Sequence, residues 1–285
     1  MNYILFNYGE LPNYLNYCIK SIQISDKNSK IYICSDKKTN FPNTQFVDFN
    51  NFDELRDKEL EIFNLFKGTL YEKNILWGSS ILRVYALERV SKELNIKNFV
   101  HFDNDVVIYK SFNELNNLTL FNKTRINITQ LNNDNLVFGY SYFPNYKLIK
   151  QLVDIFDEVF KNYEYFSNNF ARGGSLNEMK ILKIADLNFK NLFYVLDSLP
   201  YNNKKYLFDP ASYGQYLGGT HQKPANLLFK NKYLSTSHIV GREIKSKRIK
   251  VNFKNKTPIV IFNDNEYQLA NLHIHSKQLH KFLPN

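Results

Sequence analysis

Cysteine is scarce in this 285-residue chain: Cys18 and Cys34 are the only two, and they fall in different apolar stretches. Two such residues make no disulfide framework and read as buried free thiols in a reducing compartment. No apolar run approaches the roughly 20 residues that span a bilayer. The opening Met1-Asn2-Tyr3-Ile4 lacks the basic character of a secretory leader, so the expectation is a cytoplasmic protein. No Gly-x-Gly-x-x-Gly and no Walker loop occurs, which counts against dinucleotide oxidoreductases and P-loop enzymes. Pro/Gly/Ser-rich linkers, internal repeats and low-complexity blocks are absent as well. The length suits one large α/β domain or two small ones.

Acid is in shorter supply than base. The formal charge is +10, with Lys and Arg spread along the chain and densest over residues 241–250. Such a patch fits nucleic acid, an anionic membrane or a phosphorylated substrate, or simply keeps a surface solvated. No helix-turn-helix, zinc or RNA-recognition signature accompanies it, so nucleic acid is not an expected partner. Peripheral membrane contact through the patch stays open beside the plain reading of a solvated surface, which suits most of these lysines better.

The informative stretch is Asn98-Phe99-Val100-His101-Phe102-Asp103-Asn104-Asp105-Val106-Val107-Ile108-Tyr109. Its flanks are short, apolar and rich in β-branched and aromatic residues, which predicts two buried strands. Two carboxylates one residue apart at the end of a buried strand are costly unless a positive group meets them. A divalent cation would do so, and Mg²⁺ commonly shares its shell with substrate phosphates. The carboxyl end of an α/β strand is also where such sheets form their ligand crevices. The plain alternative is a solvated turn between strands.

Asp103-Asn104-Asp105 between apolar flanks resembles the Asp-x-Asp motif of metal-dependent GT-A glycosyltransferases. That resemblance implies a single GT-A, Rossmann-like α/β domain over 1–285, with a mixed central sheet flanked by helices. Residues 1–110 would bind a nucleotide-sugar, and 111–285 would bind the acceptor and carry a C-terminal segment for metal and diphosphate. Several stretches agree with it. Residues 3–7 and 30–34 read as buried strands around an amphipathic helix over 14–24. In GT-A enzymes the nucleoside sits at the ends of the first two strands, which makes Asn7, Tyr8 and Asp36 candidates, with a helix cap and a turn as their plain reading. Residues 53–66 predict a helix with Leu55, Leu60, Ile62, Phe63 and Phe66 inward. Ser79 or Ser80 can cap the next helix, which would present Arg83 to donor phosphate.

Strands are expected over 125–130 and 136–143, a helix over 145–162, and a further helix ending at Leu187. Ser175 and Glu178 have the spacing of a capping box; the resemblance alternatively makes Glu178 a base or a donor-binding carboxylate. The Glu-Asp pair of many inverting members is absent. In Asp209-Pro210-Ala211-Ser212-Tyr213-Gly214-Gln215-Tyr216-Leu217-Gly218-Gly219-Thr220-His221, Asp209 can cap a short helix begun by Pro210 and ended by Gly218-Gly219. The segment looks like one found in bacterial and viral GT-A-like proteins. By that likeness Gln215, Gly218 and Gly219 approach a sugar, and Asp209 competes with Glu178 as the catalytic carboxylate. Strands are expected over 248–253, 258–262 and 269–272.

His273 and His275 share one face of an extended segment and precede Lys277. GT-A enzymes often take a further metal ligand from a C-terminal histidine, so the resemblance implies a Mn²⁺ or Mg²⁺ ion held by Asp103, Asp105 and His275 or His273. Asp103 and Asn104 would also meet the nucleotide-sugar, with Lys277 on its diphosphate. The function implied is transfer of a sugar from a nucleotide-diphosphate donor to a hydroxyl of a glycan or glycolipid, with retention favoured. Two other classes stand beside it: a metal-dependent nucleotidyl- or phosphotransferase, and a non-catalytic carbohydrate- or membrane-binding protein.

Overall fold

The computed structural model describes residues 1–202, 204–220 and 234–285. Seven strands form a central sheet in the order β3-β2-β1-β4-β7-β6-β8: β1 (Asn2–Asn7), β2 (Lys30–Ser35), β3 (Thr44–Asp48), β4 (Phe99–His101), β6 (Ile126–Asn132), β7 (Asn135–Phe143) and β8 (Phe193–Val195). Strands β3, β2, β1 and β4 run parallel, while β7 is antiparallel to both β4 and β6. The short β5 (Val106–Ile108) leaves this sheet and pairs antiparallel with β13 (Asn271–His273). A smaller sheet joins β9 (Tyr206–Leu207), β10 (Lys250–Lys254), β11 (Thr257–Phe262) and β12 (Asn265–Leu269). The expected α/β fold with a mixed central sheet flanked by helices is what forms.

Burial explains the uninterrupted apolar character of the first strand. Ile4 and Phe6 enter the core on one face of the sheet, Tyr3 and Leu5 the core on the other. A strand covered on both faces has no solvent side to be polar on. Helix α1 (Leu15–Ser25) makes the crossover from β1 to β2 and packs with β5 on one face. Helices α2 (Asp53–Phe66), α3 (Ile75–Glu93), α5 (Tyr146–Lys161) and α7 (Glu178–Asn188) cover the other; α4 (Phe112–Asn117), α6 (Tyr163–Ala171), α8 (Tyr213–Gly218) and α9 (Ile239–Lys245) complete the set. Cys18 and Cys34 are both free and buried, on opposite faces.

Several local expectations change. On α2, Leu55, Ile62 and Phe66 are buried, but Leu60 is 63% exposed. Five residues beyond Leu55, it has turned about 140° from that face. Helix α3 starts earlier than expected, capped by the Asn74 side chain on Leu76 N–H, so Ser79 and Ser80 lie within it and their hydroxyls donate back to the carbonyls of Leu76 and Trp77. Asn177, not Ser175, caps α7 by accepting from Lys180 N–H. Helix α8 begins at Tyr213, leaving Pro210 outside it, and Gly219 ends it at φ +76°. His221 lies outside the described residues.

Candidate functional site

Parallel pairing brings the carboxyl ends of β1, β2 and β4 to one edge of the sheet, and the Asp103–Asp105 turn leaves from there. Its backbone is held from three directions: Asp103 N–H donates to Phe138 O at 3.0 Å, Val106 N–H to Asp103 O at 3.1 Å, and Ile274 N–H to Asp105 O at 2.8 Å. The last bond, with the β5–β13 ladder, delivers the C-terminal histidines to the carboxylates. Above the turn opens a cleft of about 570 Å³.

Asp105 is almost sealed, its side chain 6% exposed. One oxygen lies 2.8 Å from His273 Nε2 and the other meets the Lys277 ammonium. Burial works against ionisation, but His273 and Lys277 outweigh it and hold Asp105 well below the usual carboxylate range. The same contact raises His273 against the downward push of burial, with Asp105 the dominant partner. The His275 ring lies tilted against that of His273, ring centroids 4.5 Å apart. Burial, reinforced by the charge on His273, pushes His275 down to about 3, so its ring is neutral at pH 7. Its Nε2 is buried and has no hydrogen-bond partner among the described residues. A neutral imidazole with a free buried nitrogen is a ligand in waiting.

Ligand atoms of Asp105, His273 and His275 lie within 4.8 Å of one another. One carboxylate and two imidazoles suit a first-row transition-metal dication, which accepts imidazole nitrogen, better than Mg²⁺, which prefers an all-oxygen shell. These residues therefore fit a cation such as Mn²⁺. Asp103 approaches the group, its Oδ2 lying 3.6 Å from His273 Nε2. Its other oxygen is engaged by Arg83.

Arg83 departs from the expectation of an arginine offered to phosphate. One guanidinium nitrogen donates to Asp103, the other to Glu178, and the group lies 5.1 Å from the Phe138 ring centroid. Both arms of the fork are used, so in this arrangement Arg83 orients Asp103. Burial outweighs the pull of Arg83 on Asp103's neighbour Glu178 and pushes that carboxyl up to about 7. Glu178 is thus no capping-box member: it is buried, points into the cleft and belongs to a carboxylate–guanidinium–carboxylate row.

Asn7, Tyr8, Asn104, Gln215, His273, His275 and Lys277 line the same cleft. Asn104 Nδ2 donates to Phe6 O at 2.8 Å while its Oδ1 is buried and has no partner among the described residues. Tyr8 is less available than expected: Phe49 and Phe63 pack against its ring at 5.8 and 5.7 Å, and its hydroxyl donates a hydrogen bond to Glu59. Asp36, Asp209, Gly218 and Gly219 are not among the lining residues. Asp36 accepts from Gly9 N–H at 2.7 Å and so shapes the turn after β1, where Gly9 sits at φ +84°. Gly218 backs onto Phe282 and Ser276.

Asp209 is fully buried, and its carboxylate is saturated. Oδ1 accepts from Ser212 and Tyr213 N–H at 2.6 and 2.8 Å, and Oδ2 from Gly214 and His273 N–H at 2.8 and 2.9 Å. Burial pushes its pKa up against these four donors. With every lone-pair direction spent on backbone, it has none for an acceptor proton, which corrects its reading as a base.

Tyr14, Phe138 and His238 are among the lining residues that escaped the sequence. Tyr14, whose ring centroid is 5.1 Å from Lys277 Nζ, and Phe138 look in sequence like ordinary core aromatics. His238, with Nδ1 3.1 Å from Ser212 Oγ, stands in a polar stretch with no periodic signal.

No protein-family model and no curated protein matches the sequence. Among solved structures the chain is similar to mouse xyloside xylosyltransferase 1 in its apo form, with 11% identity, 69% of this chain and 86% of that one covered, and a TM-score of 0.47. It is similar to the galactosyltransferase LgtC in complex with donor and acceptor sugar analogues, at 12% identity over 84% of this chain and 86% of that one, TM-score 0.44. A third is the glycosyltransferase GlyE of Streptococcus pneumoniae TIGR4, at 13% identity over 70% of this chain and 46% of that one, TM-score 0.38.

Proposed function

We propose that this chain is a GT-A-type glycosyltransferase that moves a sugar from a nucleotide-diphosphate donor to a hydroxyl of a glycan or glycolipid, with retention of configuration. The observation that carries the reading is convergence. Asp105 and Lys277, 172 positions apart, meet beside two histidines at the carboxyl ends of the parallel strands of the mixed sheet, under a cleft large enough for a nucleotide-sugar. Asp105, His275 and His273 would hold the cation, Mn²⁺ in preference to Mg²⁺. When bound, it offsets the negative charge that grows on the departing diphosphate.

The chain's own residues do the rest. Lys277 places an ammonium beside the same leaving group, in a site where partial burial strengthens its field. Arg83 fixes Asp103 next to the metal-binding residues, and Asn104 offers its free Oδ1 to a donor hydroxyl. The bond from the anomeric carbon to the diphosphate breaks, a bond to the acceptor oxygen forms, and the acceptor proton passes to the departing phosphate oxygen. Retention is favoured because Asp209 is saturated and Glu178 is committed to Arg83, which removes both residues expected as a base.

A further property bears on the acceptor. Lys and Arg occur throughout, yet residues 1–200 carry equal numbers of acidic and basic side chains, so the whole excess of +10 belongs to residues 201–285. Exposed Lys245, Lys247, Arg248, Lys250, Lys254 and Lys256 are part of it. We place the acceptor at an anionic membrane surface reached by this face. No helix of the described residues is long and apolar enough to cross a membrane.

The test is thermal shift with a panel of nucleoside diphosphates and nucleotide-sugars, in Mn²⁺ and in EDTA, on the wild type, Asp105→Asn and His275→Ala. One nucleotide should stabilise the wild type only with metal, and neither variant. Equal stabilisation in EDTA, or in both variants, refutes the reading. A nucleotide consumed with no sugar acceptor present would favour nucleotidyl transfer.

A further inference from the structure

Asp209 is a buried carboxylate that glycosyl transfer leaves without a chemical role, and the stretch around it is among the most distinctive in the sequence. Its Oδ2 accepts at once from Gly214 N–H, in the first turn of α8, and from His273 N–H, on β13. One oxygen therefore ties a helix to the strand that carries the histidines. The approach is so close that a Cβ on Gly214 would come within 2.0 Å of His273 O and 2.6 Å of its carbonyl carbon. Only backbone lies there, so no side chain can move aside.

The same junction is closed from behind. Asn271 Oδ1 accepts from Asp209 N–H at 3.0 Å, while its amide donates to Gly139 O and Asp209 O at 3.0 and 3.2 Å. Ala211 takes φ +71°, a conformation that costs a residue with a Cβ energy and turns the chain between Asp209 and α8. Gln215, next after Gly214, reaches the cleft.

We propose that Asp209 and Gly214 are positioning residues for the metal site: they fix the height and direction of the His273–His275 segment over Asp105, and register Gln215 to it. The inference rests on the cation reading of Asp105, His273 and His275. Neither residue touches substrate or ion; both act through the His273 backbone. Groups that orient ligands typically change metal affinity by roughly 10–100-fold when altered.

The experiment is Mn²⁺ titration of the full chain at 10 °C, following loss of the free-ion paramagnetic signal, with unfolding midpoints measured in parallel. The variants are Asp209→Asn, nearly isosteric, and Gly214→Ala, which forces the strand away. Val159→Ala, buried in the opposite core, serves as a control for general destabilisation, and His275→Ala removes a ligand outright. We expect Asp209→Asn and Gly214→Ala to weaken Mn²⁺ binding about tenfold or more, and Val159→Ala to lower the midpoint with affinity unchanged. If Gly214→Ala does not fold, Asp209→Asn decides. Wild-type affinity in Asp209→Asn overturns the inference while the metal reading survives. A wild type that binds no Mn²⁺, or binds it equally after His275→Ala, overturns the metal reading and this inference with it.

Discussion

Glu178→Gln should flatten the pH dependence of stability between about pH 4.5 and pH 7. Glu178 is 4% exposed, faces Arg83, and is pushed from 4.5 to about 7 because burial outweighs the guanidinium. The sign follows from proton counts. Below 4.5 both native and unfolded chains are protonated at this site. Between 4.5 and about 7 the native chain keeps the proton and the unfolded chain releases it, so stability falls as pH rises. Above about 7 the loss is complete. At about 1.36 kcal/mol per unit, a rise of roughly 2.5 units removes about 3 kcal/mol in the wild type. A glutamine keeps an oxygen for the Arg83 N–H and has nothing to titrate. Urea midpoints at half-unit pH steps for both proteins provide the assay. The difference between them cancels most of the contribution of His273, which also titrates with a raised pKa. Parallel curves for wild type and variant across the window would refute the claim that Glu178 is protonated near neutrality in the folded chain.

Other consequences can be measured on the same preparations. Asp105→Asn should abolish Mn²⁺-dependent stabilisation and lower transfer roughly a hundredfold or more, since it removes the carboxylate 2.8 Å from His273 Nε2, nearer than Asp103 at 3.6 Å; retention of more than half the activity would contradict its placement. Mn²⁺ should support donor binding at lower concentration than Mg²⁺ because two imidazoles serve the site, and calorimetry with the cognate diphosphate compares them. Tyr3→Phe, which removes the buried 2.9 Å hydrogen bond to Asp26, should cost about 1–2 kcal/mol by urea unfolding without altering Mn²⁺ affinity. Charge-reversed Lys247→Glu/Lys250→Glu should reduce co-sedimentation with vesicles containing anionic phosphatidylserine and leave binding of the soluble donor unchanged; equal sedimentation would detach the basic face from the membrane.

Elements governed by neighbours a few positions away were legible in the sequence. The doubly buried β1 and β2 announce themselves by unbroken apolar runs, and α5 by its spacing. Asp103 and Asp105 could be singled out because two carboxylates at the end of a buried strand are costly, whereas His273, His275 and Lys277 were legible only through the resemblance to GT-A enzymes. Their meeting rests on one non-local event, the pairing of β13 with β5, which no local pattern encodes. The same holds for roles. Glu178 and Asp209 each satisfied a capping pattern, and sequence could not rank them. The fold separated them by direction alone: Asp209 turns inward onto four backbone donors, while Glu178 turns into the cleft onto Arg83, 95 positions away. Gly214 shows the limit most plainly, since its need to be glycine comes from the carbonyl of His273 on another strand. Composition and periodicity decide which residues must be buried. Only tertiary packing decides which groups they face, and the electrostatics of this site depend on that choice.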